Sequence, residues 1–457
     1  MVPGNDFSLV SVEISPCPTP EATAACPKAR HHLRRNIRSA ILATSSSRPL
    51  SSQLSALGHQ MFFAARLAVI FMGCVGASWP IAQAQELDLR SLEEIRSIAS
   101  AQFEKHHLNS LLLQVRINGK EVTSLALGEA MTGVPAKIDG RFRNGAVALT
   151  YIAALALRLA EEGIVDLDMP ISRWLPDLPA SGEATIRMLA NMTAGYPDHV
   201  ANDEKFVKPF IADPFRTWKP QDLIAVSLSQ ARRFAPGENW DYSHSGYVIL
   251  GQVLEVATGK PMHRLMDEYI LTPLKLGGTY GFDNATIPEP AIHAFTAERG
   301  VWEDATYWNP SWTLPAGAIQ VTTIDDMARS FDTIVGSPGF LSAQSRKQMI
   351  EPRLIGFGVP LEGCPTCHSL TKRFNYGLGA MLRGDWVFQT PLFGGYASAV
   401  GTLPQERSKI GRITIAVAVT FTRDSVADWN ERAPNLADAT VSLIAAKLAP
   451  EHPVPFL

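Results

Sequence analysis

The sequence predicts an α+β fold in which one antiparallel sheet, flanked by helices, is shared by the two ends of the globular chain. Two β-rich runs at residues 111–123 surround Asn118-Gly119, a pair that favours the positive φ angles of a two-residue hairpin turn. Residues 376–422 contain further strand-like runs, and a helical pattern at 437–449 closes the chain. Because the segments between these ends read mainly as helices, the hairpin and the later strands are expected to form one sheet.

The longest helical pattern lies within residues 141–168. Apolar residues recur at helical spacing from Val147 to Leu159, and Gly163 ends the run after two glutamates. Shorter helices are predicted at 184–198, ending at Gly195, and at 246–256, capped by Gly259. A loop closed by prolines covers 171–179, and another helix begins near 324.

Composition excludes several classes of function. The 457 residues are 46% hydrophobic and 19% charged, and the net charge of -3 gives no basic excess for binding nucleic acid. No glycine-rich phosphate loop follows a strand, and no cluster of His, Asp or Glu has metal-ligand spacing. The sequence therefore predicts neither a cofactor nor a metal site.

A secretory signal peptide is predicted at residues 61–84. Met61 is followed by Arg66, by an apolar core at 67–75 and by Ala82-Gln83-Ala84, so cleavage is expected after Ala84. The apolar run is too short for a membrane span. This pattern predicts a periplasmic or secreted protein. Residues 1–60 are rich in Ser, Pro and Arg, and we interpret them as an extension from a wrongly assigned start codon or as an organelle-targeting segment.

Two cysteines, Cys364 and Cys367, remain in the predicted mature chain. An exported protein favours a local disulfide between them, because a metal site would need two further ligands and His368 supplies at most one. Their Gly/Pro-rich surroundings are unlike the start of a redox-active helix. We expect the pair to staple a loop.

The order of motifs resembles the family of class C β-lactamases, D-alanyl peptidases (penicillin-binding proteins) and related esterases. Phe142 and Gly145 match the Phe-x-x-Gly that precedes the nucleophilic serine in that family, and Tyr242-Ser243-His244 matches its Tyr-x-Asn motif. The resemblance covers roughly residues 90–450. It implies a mixed α/β domain at 85–457 with an antiparallel sheet, a mainly helical subdomain at roughly 165–320, and a ligand cleft between them.

The resemblance also indicates that the acylating residues are missing. Ala146 stands where the family has its serine, and Leu149 stands where it has its lysine. Tyr242 retains the position of the family base, His244 replaces the asparagine, and the third motif falls at Phe393-Gly394-Gly395 with Phe393 in place of a cation. A tyrosine has a pKa of about 10 and becomes a useful base only beside positive charge. Tyr242 is therefore expected to stay a neutral phenol.

Three hypotheses follow for the function. The first is an impaired member, a pseudoenzyme, that binds an acyl, peptide or cell-wall-like ligand in a cleft lined by the family positions Ala146, Leu149, Tyr242, His244, Phe393, Gly394 and Gly395. The second is an active esterase, D-amino-acid peptidase or β-lactamase with a rearranged nucleophile. The third is a protein that binds a partner through its surface.

Several residues are candidates for a rearranged site. The literal Ser-x-x-Lys at Ser369 and Lys372 lies outside any helical pattern. Ser243 or Ser245 could pair with His244 or His199, although neighbouring side chains rarely have the required geometry. Four tryptophans either line the cleft or pack between the two halves of the domain: Trp240, Trp302, Trp308 and Trp312.

Overall fold

The computed structural model describes residues 89–281, 284–427 and 435–455. The signal peptide and the N-terminal extension lie outside these residues. The helices are α1 (Leu89–Lys105), α2 (Val147–Glu161), α3 (Ile186–Ala190), α4 (Lys208–Ala212), α5 (Pro220–Leu228), α6 (His244–Thr258), α7 (Met262–Met266), α8 (Thr272–Leu274), α9 (Ile324–Gly336), α10 (Ala343–Ile350), α11 (Arg423–Ala427) and α12 (Leu436–Leu448). Short 3₁₀ and π turns at 171–173, 199–201, 203–207, 267–271, 310–312 and 405–407 connect some of them.

The strands are β1 (Leu108–Ile117), β2 (Lys120–Met131), β3 (Val134–Pro135), β4 (Phe142–Arg143), β5 (Tyr280–Gly281), β6 (Phe295–Thr296), β7 (Glu303–Asp304), β8 (Ile319–Thr322), β9 (Asn375–Tyr376), β10 (Met381–Arg383), β11 (Trp386–Gln389), β12 (Leu392–Phe393), β13 (Tyr396–Leu403) and β14 (Ile413–Phe421). Nine of them form one sheet in the order β3-β2-β1-β14-β13-β11-β10-β9, with β12 also paired to β13. All the pairings in this sheet are antiparallel, which confirms the predicted α+β class.

The central strands join the two ends of the domain. β1 pairs with β2 across the Asn118-Gly119 turn, where both residues have positive φ, and its other edge pairs with β14. Leu108 is opposite Phe421, and Ile117 is opposite Ile413. The predicted sheet with contributions from both termini is present.

The sheet buries both of its faces, as the alternation of side chains requires. Leu111, Leu113 and Val115 of β1 point to one face, where they form a hydrophobic cluster with residues of α1 and α12. Leu112 points to the opposite face and joins the larger cluster around α2. On this second face β14 presents the small residues Ala416 and Ala418, which leave room for the helices that pack there.

The predicted helix at 184–198 is shorter in the structure. It spans only Ile186–Ala190, with Thr185 as its N-cap. Met192 has a φ of 66° and Gly195 a φ of 74°, so the backbone leaves the helical path before Gly195. The segment that follows carries Asp198 and His199 to the site described below. No helix in the described part of the chain is long and apolar enough to cross a bilayer.

Candidate functional site

Ala146 and Leu149 lie at the start of α2. Ala146 is the N-cap of the helix and is partly exposed, whereas Leu149 in the first turn is buried. Gly145 has a φ of 46°, and a Cβ atom on it would lie 2.6 Å from Cβ of Pro391, so a larger residue would not fit. This close approach places the start of α2 beside the segment that leads to Phe393.

Tyr242 and His244 lie at the start of α6. Between them, Ser243 is the N-cap: its Oγ accepts a hydrogen bond from the Gly246 N–H at 3.1 Å and donates one to the Tyr196 carbonyl at 2.8 Å. Because Ser243 is committed to the cap, it is not available as a nucleophile. Tyr242 and His244 flank it, both partly exposed, with ring centroids 5.2 Å apart.

Phe393, Gly394 and Gly395 form the hairpin turn between β12 and β13. Both glycines have positive φ, and a Cβ atom on Gly395 would lie 2.3 Å from the Phe295 carbonyl oxygen. The Phe393 ring is buried and stacks on Trp312 at 5.8 Å, and Trp312 lies 5.9 Å from the His244 ring. These ring contacts connect Phe393, in the third motif, to His244, in the Tyr-x-Asn position. We call Ala146, Leu149, Tyr242, His244, Trp312 and Phe393-Gly394-Gly395 the cleft residues.

Asp198 pairs with His244. The His244 Nδ1 atom lies 2.9 Å from Asp198 Oδ2, and the Val200 N–H donates to the other carboxylate oxygen at 3.2 Å. The cation-forming ring and the hydrogen bonds outweigh burial and hold the pKa of the Asp198 carboxyl below its usual range. The carboxylate is therefore ionised at neutral pH and orients the imidazole.

Tyr242 is in an environment that keeps its proton. Burial is the largest cause that raises its pKa well above the ordinary value of a phenol, and the nearby Tyr376 and the negative charge of Asp198 raise it further. None of the cleft residues is a lysine or an arginine. This electrostatic setting is opposite to the one a tyrosinate base would need.

Among the candidate surrogate pairs, only Ser245 and His199 are in contact. Ser245 Oγ lies 2.9 Å from His199 Nδ1, and His199 Nε2 lies 2.9 Å from the Trp312 carbonyl oxygen. Since that carbonyl can only accept, Nε2 carries the proton and Nδ1 accepts from the serine. Both residues are fully buried, so no substrate reaches the hydroxyl.

The literal Ser-x-x-Lys lies elsewhere. Ser369 and Lys372 are exposed and belong to an irregular segment before β9, not to the start of a helix. Outside a helix, a spacing of three residues does not bring the serine and the lysine onto one face. The geometry does not support this pair as a nucleophile and its base.

Cys364 and Cys367 are joined by a disulfide, as the sequence predicted. Thr366, inside the closed loop, donates a hydrogen bond to Asp241, the residue next to Tyr242. Ligand atoms of Asp241 and the two cysteines lie within 4.8 Å of one another, but both sulfurs are already bonded. The loop therefore braces the segment that carries the tyrosine.

The four tryptophans have different surroundings. Trp240 and Trp308 are buried in the core, and Trp302 stacks on Phe295 at 6.0 Å. Trp312 alone among these four contacts His244 and Phe393. The packing interpretation thus fits Trp240 and Trp308, whereas Trp312 lies beside two of the family positions.

A separate surface cavity of about 700 Å³ lies between α10 and the turn at 405–407. Arg346 in its wall forms two hydrogen bonds of 2.8 Å with Glu406. The arginine is thereby neutralised by a partner. None of the cleft residues lines this cavity.

One residue of the site, Asp198, was missed in the sequence, and Trp312 was named only as one of four tryptophans that either line the cleft or pack between the two halves. The roles of Asp198 and Trp312 depend on contacts with His244, which lies 46 residues after Asp198 and 68 before Trp312. The only local signal was the Asp198-His199 pair directly before a short turn. Such a pair does not reveal which distant histidine the carboxylate binds.

Comparisons with known proteins decide the family. Residues 95–441 match the family profile described as Beta-lactamase. The chain belongs to this family. It is 28% identical over 287 residues to Penicillin-binding protein 4* of Bacillus subtilis, a match that covers 57% of this chain and 61% of the relative, less than two thirds of its length. It is 27% identical over 311 residues to Esterase EstB of Burkholderia gladioli, covering 60% of this chain and 70% of the relative.

Solved structures support the same fold. D-amino acid amidase from Ochrobactrum anthropi SV3, complexed with L-phenylalanine amide, superposes with a TM-score of 0.64 at 22% identity and covers 79% of this chain and 99% of its own. A D-stereospecific amidohydrolase from Streptomyces sp. superposes with a TM-score of 0.60 at 23% identity, covering 80% and 99%. The predicted resemblance and the β-lactamase/transpeptidase-like fold are confirmed.

Proposed function

We propose that this member of the β-lactamase family is an exported pseudoenzyme that forms no acyl-enzyme and binds an acyl, peptide or cell-wall-like ligand non-covalently in the cleft. The observation that carries the proposal is Ala146 at the start of α2, because a methyl group cannot attack a carbonyl. Leu149 and Phe393 agree with it, since neither supplies the positive charge that would make Tyr242 a base.

The retained scaffold supports ligand binding. Gly145 and Gly395 still allow the close approach of the Pro391 side chain and of the Phe295 backbone, respectively. Trp312 is partly exposed and lies between His244 and Phe393, so its ring can contact a ligand.

A second candidate is an active serine hydrolase, an esterase, a D-amino-acid peptidase or a β-lactamase, with a rearranged nucleophile. The relatives named esterase and amidase favour it, as does the 2.9 Å contact between Ser245 and His199. The complete burial of both residues argues against it. Covalent labelling separates the two candidates.

The test is intact-mass spectrometry of the folded protein after incubation with a fluorophosphonate and, separately, with benzylpenicillin. We expect no mass shift with either probe. Binding is measured by calorimetry with L-phenylalanine amide, the ligand in the amidase complex, and with benzylpenicillin, on the wild type and Trp312→Ala. A mapped covalent adduct, or ester hydrolysis that Tyr242→Phe abolishes, would overturn the proposal. Binding that Trp312→Ala weakens about tenfold, the size of a lost aromatic contact, would support it.

A further inference from the structure

We propose that His244, held by Asp198, acts as a general base that activates water for slow hydrolysis of uncharged aryl esters in the cleft. This activity needs no serine, no lysine and no acyl-enzyme. It rests on the proposed function in one respect, because the ester occupies the same cleft as the non-covalent ligand. It goes beyond that function because it adds turnover.

The geometry fixes the protonation of the ring. Asp198 accepts only, so His244 Nδ1 at 2.9 Å carries a proton and Nε2 of the neutral ring has a free lone pair. Nε2 has no partner among the described residues, and 15% of the side chain is exposed. The basic nitrogen is thus available to a water molecule at the partly exposed edge of the site.

This pair differs from the other close Asp–His pairs in the described chain. The nitrogen and oxygen atoms of His293 with Asp304 and of His452 with Asp385 are 2.7 Å apart, but these carboxylates are 38% and 54% exposed, against 9% for Asp198. A buried carboxylate is less screened by solvent, so it holds the ring more firmly and stabilises an imidazolium more strongly. Only His244 of the three also contacts Tyr242 and Trp312.

The reaction balances without a further reactant. The water oxygen forms a bond to the ester carbonyl carbon while Nε2 of His244 takes the proton that leaves the water. The carbonyl electron pair moves to its oxygen, and its return breaks the bond to the aryl oxygen. The imidazolium then gives its proton to the departing aryl oxide, so one ester and one water yield one acid and one phenol. Asp198 stays ionised and stabilises the imidazolium.

The cleft residues indicate the substrate class. The partly exposed Trp312 ring offers an apolar aromatic surface for an aryl group, and the buried Phe393 ring stacks against it. No lysine or arginine stands among the cleft residues to pair with a substrate carboxylate, while the negative Asp198 would repel one. A neutral aryl ester therefore fits better than a peptide with a free carboxylate.

The test is hydrolysis of p-nitrophenyl acetate by the full chain, followed with and without each substitution. General base catalysis contributes roughly 10²–10⁴-fold, so we expect a rate in that range above the matched buffer. His244→Asn and His244→Gln should each lower this rate at least about tenfold. His452→Asn is the matched control, because it removes an Asp-paired histidine of 17% exposure outside the site, and it should keep the wild-type rate.

Asp198→Asn tests the positioning role. The groups that face His244 are Asp198, His199 and Tyr242, and Asp198 alone carries charge at neutral pH. Without its charge the imidazolium formed in the reaction loses its counter-ion, so kcat should fall with KM little changed. A purely structural role would change stability without this selective loss of kcat.

The outcomes separate this inference from the proposed function. The wild-type protein could bind ligand without an adduct and yet hydrolyse p-nitrophenyl acetate no faster than His244→Asn. That result would overturn the inference alone. A mapped serine adduct, or activity that depends on Tyr242, overturns the proposed function instead. Activity that depends on His244 and survives Tyr242→Phe, with no adduct, supports the inference and the absence of an acyl-enzyme in the proposed function.

Discussion

Ser245 Oγ lies 2.9 Å from Nδ1 of His199, in the arrangement of a nucleophile and its base, yet neither residue has exposed surface. The same oxygen also accepts the backbone N–H of His199 at 2.9 Å. Both hydrogen bonds hold the 198–201 turn against α6. This contact is thus structural, and it keeps Asp198 in position next to His244.

Ser245→Ala should therefore reduce the stability of the fold. The substitution leaves two buried nitrogen atoms of His199 without partners, which predicts a loss of about 1–3 kcal/mol in the free energy of unfolding, measured in urea. Ser369→Ala is the control and should change little, because Ser369 is exposed. If Ser245→Ala instead removed a covalent adduct seen on the wild type, the structural interpretation would be wrong.

Ala146→Ser alone should not restore acylation. The new hydroxyl would meet a Tyr242 whose pKa is raised by burial, and no neighbouring cation would favour its anion. Ala146→Ser combined with Leu149→Lys supplies that charge, so a benzylpenicillin adduct is expected only in the double variant, by intact mass. Equal labelling of the single variant would show that another base serves the site.

The free energy of unfolding should fall as the pH drops from about 6.5 to 4. Burial lowers the pKa of His199 from 6.5 to about 4, so over this window the unfolded chain binds a proton that the folded chain does not. A shift of this size corresponds to about 3 kcal/mol. Urea titrations at several pH values measure it, and His199→Gln, which cannot become charged, should flatten the dependence. A wild-type curve as flat as that of the variant would contradict the prediction.

Reduction of the Cys364–Cys367 disulfide should destabilise the folded protein by about 2 kcal/mol, because the closed loop is short. Cys364→Ala combined with Cys367→Ala should match the reduced wild type and should not respond to reductant. The loop braces Asp241 through Thr366, so ligand affinity should weaken in parallel. Unchanged affinity would show that the brace does not reach Tyr242.

Much of the fold could be predicted because its signals are local. The Asn118-Gly119 turn, the α2 pattern and the later strands each follow from residue spacing within a few turns or strand lengths. The predicted helix at 184–198 was too long, because Met192 takes a left-handed conformation that its residue type does not indicate.

The candidate site was less predictable. The family positions could be read in sequence, but the Asp198–His244 bond and the ring contacts of Trp312 arise only when distant segments fold together. The charge state of Tyr242 is a similar case. The sequence predicted that no cation lies beside it, whereas the burial that is the largest cause of its raised pKa appears only in the folded chain.

The pairing of β1 with β14 has a consequence for biosynthesis. Leu108 and Phe421 are partners in neighbouring central strands although more than 300 residues separate them. A ribosome must complete nearly the whole chain before β1 gains its second neighbour, and until then one edge of the β1–β2 hairpin has no strand to pair with. Contacts of such long range also slow folding. The growing polypeptide is thus exposed to aggregation for most of its synthesis, and a nonsense mutation anywhere before codon 413 would remove the strand that completes the sheet.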